Sequence, residues 1–209
     1  RLWLALAAAV LVTGGWIAVF SFIAPLLTDY AGISAAFVPL VLVGFGIGAL
    51  VGTNVGGHFA DRIPVRTFLT SAILCTVVLV LLVALSGNPV AAVVLIVLLG
   101  VVGMSVPPVA TGLAVRYASK APTLAAALSV SAFNLGIALG SWAGGTALDS
   151  SLGAVGPAVI GAGGAALGIV PLVVLALVTR RALRNGVTPI PTREGGQKDA
   201  DQAAVPAAR

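Results

Sequence analysis

Residues 44–66 read GFGIGALVGTNVGGHFADRIPVR, an apolar run that ends in a short charged segment. The run carries a glycine at every fourth position, at Gly44, Gly48, Gly52 and Gly56. On a helix this spacing places all four on one face, where the backbone of a second helix can approach closely. The sequence therefore predicts a membrane-spanning helix with a glycine contact face.

The composition of the chain is typical of an integral membrane protein. Of the 209 residues, 59% are hydrophobic and only 8% are charged, whereas a soluble domain has about 25% charged residues. The net charge of +5 does not indicate nucleic-acid binding, because the basic residues flank apolar runs, where they set membrane orientation. The single cysteine, Cys75, lies inside an apolar run, which excludes an internal disulfide and a cysteine metal site.

Six apolar runs are each long enough to cross about 30 Å of hydrocarbon, which takes about 20 helical residues. We predict an all-α membrane protein with a six-helix bundle over residues 1–178. The spans are expected at about residues 2–27, 36–57, 67–85, 92–115, 123–148 and 157–178. Residues 179–209 have almost nothing to bury, and we expect them to form a disordered cytoplasmic tail.

Basic residues lie at alternate ends of the predicted spans. If Arg1 is cytoplasmic, every Lys and Arg falls on the cytoplasmic side and the three outer loops have none. Because basic residues are retained in the cytoplasm, we predict that both termini are cytoplasmic. The Ala- and Val-rich composition favours a bacterial inner membrane.

The glycine pattern occurs twice. The stretch FGIGALVGTNVGGHFAD (Phe45–Asp61) matches FNLGIALGSWAGGTALD (Phe133–Asp149), with the phenylalanine, four glycines and the aspartate in register. Three spans separate the two copies, so the second copy crosses the membrane in the opposite direction. The sequence thus predicts a three-plus-three inverted repeat, with a second glycine face at Gly136, Gly140 and Gly144.

The charged segment after the first glycine face resembles the loop signature of the major facilitator superfamily, roughly G-x-L-A-D-R-x-G-R-R. The matching positions are Gly57, Phe59, Ala60, Asp61, Arg62 and Arg66, and the departures are Pro64 and Val65. Residues 20–34 and 121–145 look like the drug:proton antiporter branch of that family, in particular arabinose-efflux-like and chloramphenicol-exporter-like permeases. The resemblance covers about residues 16–177.

The resemblance implies twelve spans in two six-span halves, of which this chain would be the C-terminal half. The implied partners are the lipid bilayer, a missing N-terminal six-span half, a small-molecule substrate and protons, with no cofactor, metal ion or nucleic acid. The implied activity is export of a small amphipathic solute by proton antiport and alternating access. Because the chain begins at Arg1 rather than at a methionine, we expect it to be a fragment of a longer protein.

Proton coupling by this chain alone is not expected. Coupling needs an ionisable group inside the membrane, and Asp29 and Asp149 both lie at the outer ends of predicted spans. The coupling carboxylate is therefore expected in the missing half.

The candidates for a cytoplasmic gate are Asp61, Arg62 and Arg66. As a latch, the Asp61 carboxylate would accept hydrogen bonds from a neighbouring helix N-terminus and pair with an arginine, which holds one transporter state closed. A capped turn with basic membrane anchors explains the same residues, and the two interpretations are compatible. Close packing is likewise a sufficient explanation of both glycine faces, although the resemblance places these helices where the two halves meet.

Polar and aromatic residues within the spans are the candidates for a substrate cavity near the bilayer midplane. They are Trp16, Phe20, Met104, Ser105, Ser131, Phe133 and Asn134. Asn134 is the strongest candidate because an amide in mid-membrane must find a partner, although an interhelical hydrogen bond would satisfy it equally well. The same alternatives apply to Thr53 and Asn54. Pro107 and Pro108 remove backbone donors inside the fourth span and predict a kink there.

Two other classes of function compete with transport. An intramembrane serine protease would need a G-x-S-G nucleophile followed by a histidine, but the only histidine, His58, precedes Ser86, and the metalloprotease motif H-E-x-x-H is absent. We therefore do not expect an enzyme. A non-transporting membrane scaffold or an inactive half-transporter remnant stays open, because six spans with one half of a cavity should not transport alone.

Overall fold

The computed structural model describes residues 1–118 and 121–184, and this part of the chain contains helices and no strand. The helices are α1 (Leu2–Ser21), α2 (Val38–Arg62), α3 (Pro64–Leu85), α4 (Pro89–Met104), α5 (Val106–Tyr117), α6 (Pro122–Leu148) and α7 (Gly156–Arg184). Because α4 and α5 form one apolar passage, the described residues hold six helical segments long and apolar enough to cross a membrane. The predicted all-α fold with six spans is confirmed.

Prolines mark the start of several helices. They are Pro64 of α3, Pro89 of α4 and Pro122 of α6. The first residue of a helix has no intrahelical acceptor for its N–H, so a proline is tolerated there and its fixed φ suits the helix. At the start of α4 the Asn88 side chain also accepts hydrogen bonds from two backbone N–H groups, at 3.0 and 3.2 Å, which caps the helix.

Two helices continue five or more residues past the C-terminal ends of their predicted spans. Helix α2 continues to Arg62 rather than ending near 57, so the charged segment is helical and the predicted charged turn is reduced to Ile63. Helix α7 continues to Arg184, so the predicted disordered tail begins too early at 179. Apolarity marks only the hydrocarbon layer, whereas backbone hydrogen bonds carry a helix on into the headgroup region. The remainder of that tail and Lys120 lie outside the described residues.

The first predicted span, 2–27, is not one continuous helix. Helix α1 ends at Ser21, and Phe22 has φ −122° and ψ 32°. Pro25 has no N–H to donate to the Ser21 carbonyl four residues earlier, so the α-helical hydrogen bonding stops here. A short turn, Ile23–Pro25, and a wider turn, Leu26–Tyr30, complete the passage.

The packing of the helices repeats with inverted symmetry. Helix α1 packs against α6 and α7, and the α4–α5 passage packs against α2 and α3, while α3 also packs against α7. Exchanging α1 with α4–α5, α2 with α6 and α3 with α7 maps the contacts just named onto one another. The predicted three-plus-three arrangement is therefore present in the packing.

Burial is uneven among the six spans. In the most apolar window of each span, 61% of the residues of α1 are buried, against 22% for α2 and 28% for α6. The main hydrophobic core contains large buried side chains from α3, α4, α5 and α7, among them Phe68, Leu79, Leu99, Leu113 and Leu172. Helices α2 and α6 thus lie at the edges of the bundle, each with one packed face and one open face.

The basic residues gather at one end of the bundle. Helices α1 and α7 are antiparallel, because Gly15 packs against Gly161 while Val12 packs against Gly168. The C-terminal end of α7 therefore returns to the end where α1 begins. We call this the basic end; its arginines within the described side chains are Arg1, Arg62, Arg66, Arg116, Arg180 and Arg181.

Candidate functional site

At the basic end, Asp61 of α2 contacts Arg116 of α5. The Arg116 Nη2 donates a hydrogen bond to the Asp61 main-chain oxygen at 3.0 Å and lies 3.6 Å from the Asp61 Oδ1. The Asp61 side chain is 87% exposed, so the ion pair itself is weak in water. Its geometry nevertheless ties the last turn of α2 to the last turn of α5.

The other two predicted gate residues are placed differently. Arg62 and Arg66 are exposed, and neither side chain forms a hydrogen bond or ion pair with any residue in the described ranges. The structure therefore brings Asp61 to Arg116, an arginine that the predicted latch did not include, and gives the Arg62 and Arg66 side chains no partner among the described residues.

Six of the seven predicted packing glycines lie directly on the backbone of a neighbouring helix. A Cβ atom added at any of the six would come within 3.0 Å of a carbonyl oxygen. On α2, Gly48, Gly52 and Gly56 face the carbonyls of Val97, Val101 and Ser105; on α6, Gly136, Gly140 and Gly144 face those of Val10, Gly14 and Ala18. We call these contacts the two glycine ladders. Gly44 differs, because the nearest atom to its added Cβ is the Val97 side chain at 3.0 Å.

The fourth span is broken at Ser105, between α4 and α5. Pro108 has no N–H for the carbonyl of Met104, four residues earlier. The Thr53 hydroxyl of α2 donates a hydrogen bond to that carbonyl instead, at 3.2 Å. A side chain of a neighbouring helix thus satisfies an acceptor that the proline leaves free.

A second polar contact lies beside this break. Ser105 Oγ forms hydrogen bonds with the Val102 carbonyl at 2.7 Å and with Ser71 Oγ of α3 at 2.9 Å. Both serine side chains are buried. Ser105, predicted as a cavity residue, therefore links α4 to α3.

Trp16 and Phe20 of α1, predicted as cavity residues, belong to an aromatic cluster with Phe45 of α2. The Phe20 and Phe45 rings are 4.7 Å apart, and the Trp16 ring is 6.0 Å from Phe20 and 6.2 Å from Phe45. Trp16 also packs against Gly103 of α4, and its indole Nε1 is buried without a hydrogen-bond partner among the described residues. Phe45 was not among the predicted cavity residues, although its place in the repeat, equivalent to Phe133, was a signal for it.

Ser131 and Asn134 of α6 lie on the open face of the helix. Both are exposed, and neither side chain forms a hydrogen bond within the described part of the chain. With Ala127 and Ala138 they form a stripe of small and polar residues at helical spacing, which we call the α6 polar stripe. Asn134 is close to the middle of α6 (Pro122–Leu148).

The remaining predicted residues have their contacts within the bundle or within their own helix. Phe133 and Met104 are half-buried against the main core. Asn54 donates a hydrogen bond to the Leu50 carbonyl of its own helix at 2.7 Å. In the described residues, no three His, Cys, Asp or Glu side chains come close enough to hold a metal ion.

Two cavities flank α2. One, of about 390 Å³, is lined almost wholly by apolar residues such as Phe37 and Val90 near the end opposite the basic end. The other, of about 330 Å³, lies between α2 and α3 over α4 and is lined by residues that include Ser105 and Arg66. Of the seven predicted cavity residues, Ser105 alone lines either of these two.

Comparison with known proteins gives a family match over nearly the whole chain. The family model described as Major Facilitator Superfamily matches residues 4–205. The "Uncharacterized MFS-type transporter YtbD" of Bacillus subtilis is 34% identical over 66% of this chain and 36% of its own length. The "Chloramphenicol resistance protein" of Streptomyces lividans is 32% identical over 75% of this chain and 40% of its own.

A third relative has the same extent. The "Inner membrane transport protein YdhP" of Escherichia coli K12 is 33% identical over 71% of this chain and 38% of its own length. The chain thus spans less than half the length of the curated relatives it matches.

Proposed function

This chain belongs to the major facilitator superfamily, and on that premise we propose that it forms the C-terminal six spans of a secondary transporter. The proposed transporter exports a small amphipathic solute by proton antiport and alternating access, and an N-terminal six-span half completes it. The name of the Streptomyces lividans relative, "Chloramphenicol resistance protein", makes chloramphenicol the first solute to test.

The observation that carries this proposal is the α6 polar stripe. An amide inside the hydrocarbon layer must have a hydrogen-bond partner, yet Asn134 lies exposed near the middle of α6 with no partner in the described residues. Lipid tails cannot supply one. Water or solute in a cavity between two halves can, and in transporters of this architecture the substrate site lies near the midplane.

The two glycine ladders divide the bundle in a way that suits alternating access. They fix α2 to α4 and α6 to α1 at backbone contact, so each pair moves as one body. The open faces of α2 and α6 remain for the other half. In this account Asp61 and Arg116 form the latch, because their contact joins α2 to α5 at the basic end.

Solute accumulation in cells tests the proposal. The gene, with whatever coding sequence flanks this chain, is expressed in an Escherichia coli strain that lacks its main efflux pumps. Accumulation of radiolabelled chloramphenicol and of ethidium is measured with and without a protonophore. We expect lower accumulation that the protonophore restores, and about tenfold weaker export in Asn134→Ala, the factor that corresponds to one lost hydrogen bond.

The matched control is Leu139→Ala, which changes an exposed apolar residue of the same helix and should leave export unchanged. The non-transporting scaffold would be favoured by two results together: cells accumulate both probes equally with and without the inserted protein, and accumulation is the same for Asn134→Ala and Leu139→Ala.

The proposed location is the bacterial inner membrane, with both termini in the cytoplasm. Gathering of the described arginines at the basic end supports this orientation. Labelling of intact cells with a membrane-impermeant maleimide tests it: Ser150→Cys should react in intact cells, and Arg62→Cys only after permeabilisation. The reverse pattern would contradict the orientation.

A further inference from the structure

The 330 Å³ cavity between α2 and α3 is a groove of defined length and chemistry. Gly52 and Gly56 lack side chains on its α2 wall, which exposes the floor formed by α4. On the α3 wall the groove runs from Arg66 to Leu74, about 12 Å at 1.5 Å per residue. One leaflet of hydrocarbon is about 15 Å thick, so the groove extends through most of one leaflet.

The groove has one charged group, at its basic end, and hydroxyl groups farther along its length. Deeper in, the Ser71 hydroxyl is bonded to Ser105. The Thr67 hydroxyl is bonded to the carbonyls of Phe59 and Ile63. The Thr70 hydroxyl completes the polar lining, so the Arg66 guanidinium at the opening is the one charged group among the lining residues.

No protein anion neutralises Arg66 within the described residues. The nearest carboxylate in sequence, Asp61, is engaged by Arg116. A ligand that complements this groove has an anionic group at Arg66 and an apolar chain directed toward the bilayer centre. Basic pockets between membrane helices bind anionic lipid headgroups on the same principle.

We propose that the groove between α2 and α3 binds one anionic phospholipid of the leaflet at the basic end. Its phosphate lies at Arg66 and one acyl chain lies between α2 and α3 over the glycines of α2. The site is separate from the proposed solute pathway, because its lining residues belong to α2, α3 and α4 and to the residues Ile63 and Ser105 that follow α2 and α4, with none from α1 or α6.

Native mass spectrometry of the purified, delipidated protein tests the proposal. The protein, with any sequence that flanks this chain, is titrated separately with phosphatidylglycerol and with phosphatidylcholine. The wild type should take up the first equivalent of phosphatidylglycerol in preference. Arg66→Gln should weaken phosphatidylglycerol binding about fivefold, the effect of one arginine near a charged membrane surface, and leave phosphatidylcholine unchanged.

Two further variants separate this site from general attraction to the surface. Arg62→Gln removes an exposed arginine four residues away that does not line the groove, and it should retain the preference. Thr70→Trp fills the groove from an exposed position and should abolish the first binding step. Because both altered side chains are exposed, circular dichroism and the melting temperature should match the wild type.

Four results would overturn the proposal. Equal losses in Arg66→Gln and Arg62→Gln would show diffuse surface charge in place of a site. Equal binding of the two lipids by the wild type would show an apolar groove without headgroup recognition. Unchanged binding in Thr70→Trp would show that the lipid lies elsewhere. Loss of all binding when the flanking sequence is present would show that another part of the protein occupies the groove.

Discussion

Six glycine residues set the distance between two pairs of helices in this bundle. Within a bilayer the hydrophobic effect does not drive one helix against another, so association depends on close van der Waals contact and interhelical hydrogen bonds. A side chain at any of the six would meet a carbonyl oxygen of the facing helix. The ladders are therefore sites where the smallest substitution has a large effect.

Gly52→Ala and Gly140→Ala should each destabilise the fold by about 1–3 kcal/mol, the usual result of overpacking. The two positions are equivalent in the repeat, so their effects should be similar. Gly57→Ala is the control: nothing lies within 4 Å of its added Cβ, and alanine favours a helix by up to about 1 kcal/mol. Unfolding in mixed detergent micelles measures all three, and equal destabilisation in Gly57→Ala would refute the ladder explanation.

The contact between Asp61 and Arg116 should affect transport more than stability. Asp61 is highly exposed, so Asp61→Asn and Arg116→Gln should hardly shift the melting temperature. If the pair holds one transporter state closed, both variants should slow export, and the exchanged pair Asp61→Arg with Arg116→Asp should recover part of the rate. Loss of export in the exchanged pair to the level of the single variants would argue against a latch.

The two glycine faces could be predicted from the sequence, but the partner of Asp61 could not. A spacing of four residues fixes a helix face wherever the helix packs, so the ladders could be predicted except at Gly44. Arg116 lies 55 positions from Asp61, and a contact at that separation depends on how α2 and α5 pack. Local spacing suggested Arg62 and Arg66 instead.

Among the helices, hydrogen bonds at the Ser105 break connect the fourth span to both α2 and α3. Thr53 of α2 satisfies the Met104 carbonyl, and Ser71 of α3 bonds to Ser105. Pro107 and Pro108 made a kink predictable, because proline removes the backbone donor. The hydroxyl that compensates, that of Thr53, comes from another helix and could not be identified from the fourth span itself.

A double-mutant cycle measures this compensation. Thr53→Val leaves the Met104 carbonyl without its donor and should cost about 1–3 kcal/mol. In the Pro108→Ala background the new backbone N–H at position 108 can reach the same carbonyl, so Thr53→Val should then cost much less. Unfolding free energies of the four proteins give the coupling, and an equal cost of Thr53→Val in both backgrounds would show that the hydroxyl does not replace the missing backbone donor.

Helix ends were the least predictable feature at this scale. The apolar runs locate the spans, but Arg62 and Arg184 end their helices beyond the runs, where water can satisfy the backbone. The break after Ser21 has a cause in Pro25, which lies close to the expected end of the first span and was not recognised as an interruption.

In the whole molecule, the inverted repeat produces two glycine-packed helix pairs and two open faces. Each copy places a glycine helix against the first helix of the other three-span unit, so α2 and α6 end at opposite edges of the bundle. The repeat and the span count were readable from the sequence. The glycines also marked the packed side of α6, but the helix that packs against that side, α1, could not be identified from α6 itself.

Cysteine accessibility along α6 is the sharpest test of the proposal that the α6 polar stripe lines a water-filled solute pathway. The one native cysteine, Cys75, is buried and should contribute little background. Ser131→Cys, Asn134→Cys and Leu139→Cys are treated in membranes with a hydrophilic, charged thiol reagent, which attacks the thiolate that forms only in water. We predict that the Ser131 and Asn134 variants react with the reagent at least about tenfold faster than the Leu139 variant. A transported solute should slow the reaction of these two variants. An Asn134→Cys variant as unreactive as Leu139→Cys would contradict the account.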